Sequence, residues 1–133
     1  MRSVREVVEE ARGQIENLPP EQASDEVASG TAVVIDVREP IEWEQHIGGA
    51  LQIPRGLLEF VADPECGPIL PPSLKFELDP SRRLITYCNT GARATLAALT
   101  LKNMGFEHVA NLDGGLAAWK EAGLPTEEHH AGI

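Results

Sequence analysis

Tyr87-Cys88-Asn89-Thr90-Gly91-Ala92-Arg93 holds the residue types in this chain best suited to covalent chemistry. A cysteine becomes a strong nucleophile when positive charge or N–H donors close to its sulfur favour the thiolate. Cys88 follows the β-branched and aromatic run Arg83-Leu84-Ile85-Thr86-Tyr87 and precedes a helical pattern from about Ala92 to Met104. A helix start leaves backbone N–H groups unpaired and adds partial positive charge, so an anion is welcome there. The same field favours thiolate over thiol. Gly91 permits backbone angles that suit a loop curled around a ligand. Arg93 adds a permanent positive charge. The expected chemistry is attack by Cys88 on a small anion held by Asn89, Thr90, Gly91, Ala92 and Arg93. On residue types alone, a structural cysteine buried at a strand end fits equally well.

Such a loop must be carried by a strand and a helix, and the chain alternates the two. Val4, Val7, Val8, Ala11 and Ile15 recur at helical spacing behind a Ser3/Glu6 capping box, which predicts an amphipathic helix outside the main fold. Pro20–Ala28 reads as a short helix with proline at its start and Gly30 past its end. Ala32–Val37 is a continuous apolar run, as in a parallel strand buried on both faces. Glu39–Gln45 reads as a helical turn or two, Ala50–Ile53 as a strand and Gly56–Ala62 as a short helix. The prolines of Asp63–Pro72 predict an irregular loop. After the Cys88 segment come a helix with an apolar stripe at Leu96, Ala97, Leu99 and Leu101, a strand over His108–Leu112, and a helix ending near Ala122. This order predicts an α/β fold: a parallel sheet of about five strands with helices on both faces, plus the N-terminal helix. The expected organisation is a helical extension over 1–17, one domain over 18–125 and a polar tail over 126–133.

Composition narrows the function. The chain has 133 residues and is 42% apolar, enough for one core without disulfides or metals. Its 21 acidic against 11 basic residues give a net charge of -10, which argues against nucleic acid or an anionic membrane as partner. A small anion must therefore be drawn in by local charge. The two cysteines are too few for a disulfide framework, and Met1–Glu10 lacks the apolar run of a signal peptide. No stretch is long enough to span a bilayer. The expectation is a soluble, cytoplasmic protein.

Asp36 ends a strand on the side where the Cys88 loop should lie; it can support that loop or simply close a turn. Arg55, after Ile53-Pro54, reads either as a pocket residue or as a solvated arginine. Arg38 and Glu42 are spaced to pair with each other on one helical face. Trp43, Trp119 and His46 read as packing or hydrogen-bonded structural residues. Cys66 reads as an incidental thiol in the proline-rich loop, and His129-His130 make a poor metal site.

Three segments together resemble the rhodanese family. Asp36–Trp43 with His46-Ile47-Gly48-Gly49-Ala50 is similar to its N-terminal motif, Cys88–Arg93 to its six-residue active loop, and Asn111–Trp119 with Gly123-Leu124-Pro125 to its C-terminal motif. They occur in family order over roughly Leu18 to Pro125. The resemblance implies the rhodanese fold and a sulfurtransferase. Cys88 would accept a sulfane sulfur from a small anionic donor such as thiosulfate and pass it, from a persulfide, to cyanide or a thiol. No cofactor or metal is implied. Gln45 stands where the family often has glycine, which predicts a local change in that turn. Asn89 stands where many active members have a basic residue, which weakens thiosulfate as the preferred donor. Related folds use a cysteine and an arginine as phosphatases or arsenate reductases, but with one more residue between them than here. Other family members lack the cysteine and act as binding modules; the presence of Cys88 counts against that.

Overall fold

A computed structural model describes residues 1–128 as an α/β sandwich. Its elements are α1 (Val4–Arg12), β1 (Glu16–Leu18), α2 (Pro20–Ala28), β2 (Ala32–Asp36), β3 (Gln45–His46) and β4 (Leu51–Gln52). They continue with α3 (Leu58–Ala62), β5 (Arg83–Tyr87), α4 (Ala92–Asn103), β6 (His108–Leu112), α5 (Gly115–Glu121) and β7 (Glu127–Glu128). The main sheet has the order β1-β6-β5-β2-β4, every pair parallel.

Successive side chains of a strand point to opposite faces, so the buried apolar strands feed two cores. Ile35 of β2 and Leu84 of β5 join Val37, Ala94, Ala97 and Leu101 in one cluster. Val34 and Ile85 point the other way and join Ala23, Tyr87, Leu116 and Trp119. Helices α1, α3 and α4 therefore cover one face of the sheet, and α2 and α5 the other.

The N-terminal segment departs from expectation. The helix has the predicted capping box but ends at Arg12, with Gly13 as its C-cap. Ile15 continues the helical spacing in sequence only, because Gly13 breaks the helix before it. Glu16–Leu18 then forms an edge strand parallel to β6, with Leu18 buried. The segment is thus part of the sheet, and α1 packs on α4. The apolar stripe of α4 is also shifted. Ala94, Ala97, Ala98 and Leu101 are fully buried, whereas Leu96 and Leu99 are half-buried. Small side chains are the ones that fit where a helix lies close to a sheet.

At the C-terminus, Glu127 and Glu128 pair antiparallel with His46 and Gln45. The polar sequence there hides a backbone pairing that needs no apolar side chain. His129 and His130 lie outside the described residues. The segment 39–45 holds one 3-10 turn, Pro40–Glu42, and β3 begins after the turn residues Trp43 and Glu44. The proline-rich loop is built of 3-10 turns at Pro64–Ile69 and Pro72–Leu74, the first capped by Asp63. Among the described residues, no helix is long and apolar enough to cross a membrane.

Candidate active site

Cys88 leaves the carboxyl end of β5, the place where open parallel sheets bind ligands. Strand alternation sends Tyr87 into one core and Cys88 into the other, where its side chain is 1% exposed. Its Sγ accepts hydrogen bonds from the N–H of Gly91 at 3.2 Å and of Ala94 at 3.4 Å. Gly91 is the N-cap of α4 and has φ 115, an angle that side chains resist. That turn aims the unpaired N–H groups of the helix start at the sulfur.

The loop is held from behind by the start of α5. Leu116 N–H donates to the Cys88 carbonyl at 2.8 Å, and Ala117 N–H donates to the Asn89 carbonyl at 3.0 Å. Both carbonyls are thereby satisfied by the start of α5. The approach demands glycine: a Cβ on Gly115 would lie 2.5 Å from the Cys88 carbonyl oxygen. Gly114 and Gly115 both have positive φ, at 76 and 63. The Gly-Gly pair was the sequence signal for this contact, but read alone it marks only a turn.

A polar chain fixes the other side of the loop. Arg38, 2% exposed, donates to both carboxylate oxygens of Asp36 and to the Gln45 carbonyl. It also donates to Asn89 Oδ1 at 3.0 Å. The Asn89 amide donates onward to Glu42 Oε1 at 2.8 Å. Glu42 in turn accepts both Nη atoms of Arg93, at 2.8 and 2.9 Å. Burial disfavours the Arg38 cation, but the bonds to Asp36 outweigh it and hold the group charged. The Arg93 bonds pull the Glu42 carboxyl from its ordinary 4.5 to about 2. Behind Asp36, the Tyr87 hydroxyl donates to Oδ2 at 2.8 Å and accepts from the Ile47 N–H. Burial pushes that hydroxyl well above its ordinary range.

Several sequence expectations are thereby relocated. Arg38 and Glu42 do not pair with each other; their partners are Asp36 and Arg93, because the fold brings α4 over the 3-10 turn. Asp36 reaches the loop only through Arg38. Arg55 bonds Glu59 and the Thr100 hydroxyl and makes no bond to the loop. Trp43 donates to the Arg38 carbonyl, Trp119 to the Pro125 carbonyl, and His46 Nδ1 lies 3.1 Å from the Trp43 carbonyl, all structural contacts. The Cys66 thiol lies against Asp63, and burial and that carboxylate raise its pKa. Glu42 and Tyr87 were missed as site residues because their partners lie 51 residues away in sequence.

Beside the loop lies a cavity of about 480 Å³ bordered by Arg38, Glu42, Asn89 and Lys120. A larger groove of about 1000 Å³, between the proline-rich loop and Phe106, includes no residue of the Cys88 loop.

A model of the rhodanese-like domain matches residues 19–122. The chain is 33% identical over 113 residues to the probable adenylyltransferase/sulfurtransferase MoeZ of Mycobacterium tuberculosis, a match that covers 81% of this chain and 25% of that protein. The chain thus spans a quarter of the length of that relative. It is 31% identical over 115 residues to the thiosulfate sulfurtransferase GlpE of Stutzerimonas stutzeri, covering 85% of this chain and 91% of that protein. Among solved structures, a Rhodopseudomonas palustris protein described as of unknown function and a possible tyrosine phosphatase superposes with a TM-score of 0.81 at 35% identity, covering 96% of each chain. With the parallel sheet, the Cys88 loop and a match across most of its length, this chain belongs to the rhodanese-like domain family.

Proposed function

We propose that this protein is a sulfurtransferase that carries a sulfane sulfur on Cys88 as a persulfide. The observation that carries the reading is the pair of N–H donors, Gly91 and Ala94, directed at the Cys88 sulfur. Such donors stabilise negative charge that develops on sulfur during transfer. The thiolate attacks the outer sulfur of a donor, and the donor's bond to that sulfur breaks. With thiosulfate, sulfite leaves; cyanide then removes the sulfur as thiocyanate and restores the thiolate. Splitting the transfer into two displacements lowers each barrier. Residues 18–125 are the unit that carries this chemistry. Two cysteines outside any disulfide fit a reducing cytoplasm.

The Rhodopseudomonas palustris relative's description as a possible tyrosine phosphatase raises a second reading, phosphoryl transfer through Cys88. A phosphoryl group needs donors around three oxygens. The Cys88–Arg93 loop is one residue shorter than in the phosphatases it resembles, a loss of about 3.5 Å of contour at most. Both Nη atoms of Arg93 are also engaged by Glu42. Assaying thiosulfate:cyanide transfer beside p-nitrophenyl phosphate hydrolysis on one preparation separates the two. Sulfur transfer with phosphatase activity at background supports the first reading. Robust hydrolysis that Cys88→Ser abolishes supports the second.

A further inference from the structure

The larger groove runs along a stretch of chain that has a strand's pattern and no strand partner. Over residues 75–79, Lys75, Glu77 and Asp79 are exposed, while Phe76 and Leu78 are half-buried against the core. A period of two is that of a strand with one face covered. Yet the segment joins neither sheet of the described residues. The N–H groups of Glu77, Leu78 and Asp79 and the carbonyls of Phe76, Glu77 and Leu78 make no backbone hydrogen bond among those residues. Both ends are anchored: Leu74 is buried, and the Pro80 carbonyl accepts from the Glu107 N–H at 3.1 Å. An open, held edge of this kind is a template for another chain. Val61, Met104 and Phe106 complete the apolar part of the groove, of about 1000 Å³. Its charged residues are Asp63, Glu77, Asp79 and Lys75. Asp63 accepts from the Glu65 N–H and the Cys66 thiol, and Asp79 from the Ser81 N–H and hydroxyl, so neither is bound to a cation. The Ser81 bonds hold the Asp79 carboxyl below its ordinary range; Arg82 contributes less and donates to the Gly30 carbonyl. Lys75 therefore offsets one of three carboxylates.

We propose that this groove binds an extended segment of a partner protein as an added strand along residues 77–79, with apolar side chains beside Phe76 and Leu78 and lysine or arginine opposite Glu77 and Asp79. Main-chain bonds to the open N–H and carbonyl groups supply affinity, and the alternating side chains supply selectivity. A strand laid beside this one puts its own side chains on the same two faces, so apolar residues meet the groove and basic ones meet the carboxylates. An acidic segment is repelled by those carboxylates and by a chain of net charge -10. The groove includes no residue of the Cys88 loop, so the bound segment occupies a surface apart from it.

The test is binding of capped, dye-labelled pentapeptides to the full chain by fluorescence anisotropy, with the site located by amide NMR shifts. Lys-Val-Lys-Ile-Lys is the probe, Glu-Val-Glu-Ile-Glu reverses its charge, and Lys-Ser-Lys-Ser-Lys keeps the charge without the apolar side chains. The probe is expected to bind about tenfold more tightly than either control, and methylating its backbone amides should remove about tenfold. Salt should narrow its advantage over the glutamate peptide but not over the serine peptide. Amide shifts should centre on residues 75–80 and Phe106. Glu77→Lys, at an exposed position, should weaken the probe about fivefold and leave urea unfolding unchanged. Equal binding of the three peptides, indifference to amide methylation, shifts centred on the Cys88 loop, or no binding of the probe at millimolar concentration would each overturn the proposal. Self-association of the chain that covers residues 75–80 and excludes the probe would overturn it as well, by making a second copy the occupant.

Discussion

Gly115 shows how tightly single residues hold the Cys88 loop. Its backbone passes so close to Cys88 and Asn89 that a Cβ would lie 2.5 Å and 2.7 Å from their backbone atoms, and its φ is 63. Neither contact is with a side chain that could swing away, so the backbone itself must move. Gly115→Ala should destabilise the fold by about 2 kcal/mol. It should also shift the Cys88 sulfur relative to its N–H donors. A displacement of about 1 Å can lower the rate roughly a hundredfold. Urea unfolding and sulfur-transfer kinetics on the purified variant check both. The position of the Cys88–Arg93 loop between strand and helix was legible in the sequence, because an apolar run, a permissive glycine and a helical pattern adjoin there. Gly115 was not legible as a loop contact, since its partner strand lies far upstream. Arg38 and Glu42 were legible as charged residues, but their spacing suggested the wrong partners. Local spacing favours pairs within one element, whereas burial and the crossing of α4 decided the actual ones.

At the scale of elements, the Glu42–Arg93 pair ties the 3-10 turn Pro40–Glu42 to the first turn of α4. The Glu42 carboxyl sits at about 2 in the fold against an ordinary 4.5, chiefly through the Arg93 bonds. Its folded value is the lower one, so its contribution is complete above about 4.5 and disappears as pH falls towards 2. Glu42→Gln should cost about 1 kcal/mol near neutral pH, a modest figure for a partly solvated pair. The gap to the unmodified chain should close between about pH 4.5 and 2, as followed by urea midpoints. A gap that widens towards acid would contradict the assigned pair. The short edge strand β1 makes a second case. Leu18 is 1% exposed and belongs to the core shared by Tyr87 and Trp119. Leu18→Ala should cost about 2–5 kcal/mol, measurable by thermal or urea unfolding. Strands β2, β5 and β6 were legible because double burial demands continuous apolar runs. The short β1 and β7 carry no such run: one follows a helix that ends at Arg12, and the other is two glutamates paired in register with His46 and Gln45.

On the scale of the whole molecule, the alternation of strands and helices dictates a parallel sheet with helices on both faces, and that sheet delivers Cys88 to its carboxyl edge. The proposed function depends on that one sulfur changing partners. The most direct test is mass spectrometry of the intact chain, with peptide mapping, after a sulfane sulfur donor and then after cyanide. One added sulfur atom is expected, located on Cys88 and removed by cyanide as thiocyanate. The addition should be absent in Cys88→Ser and retained in Cys66→Ser. Sulfur added elsewhere in the chain, or transfer at full rate in Cys88→Ser, would contradict it.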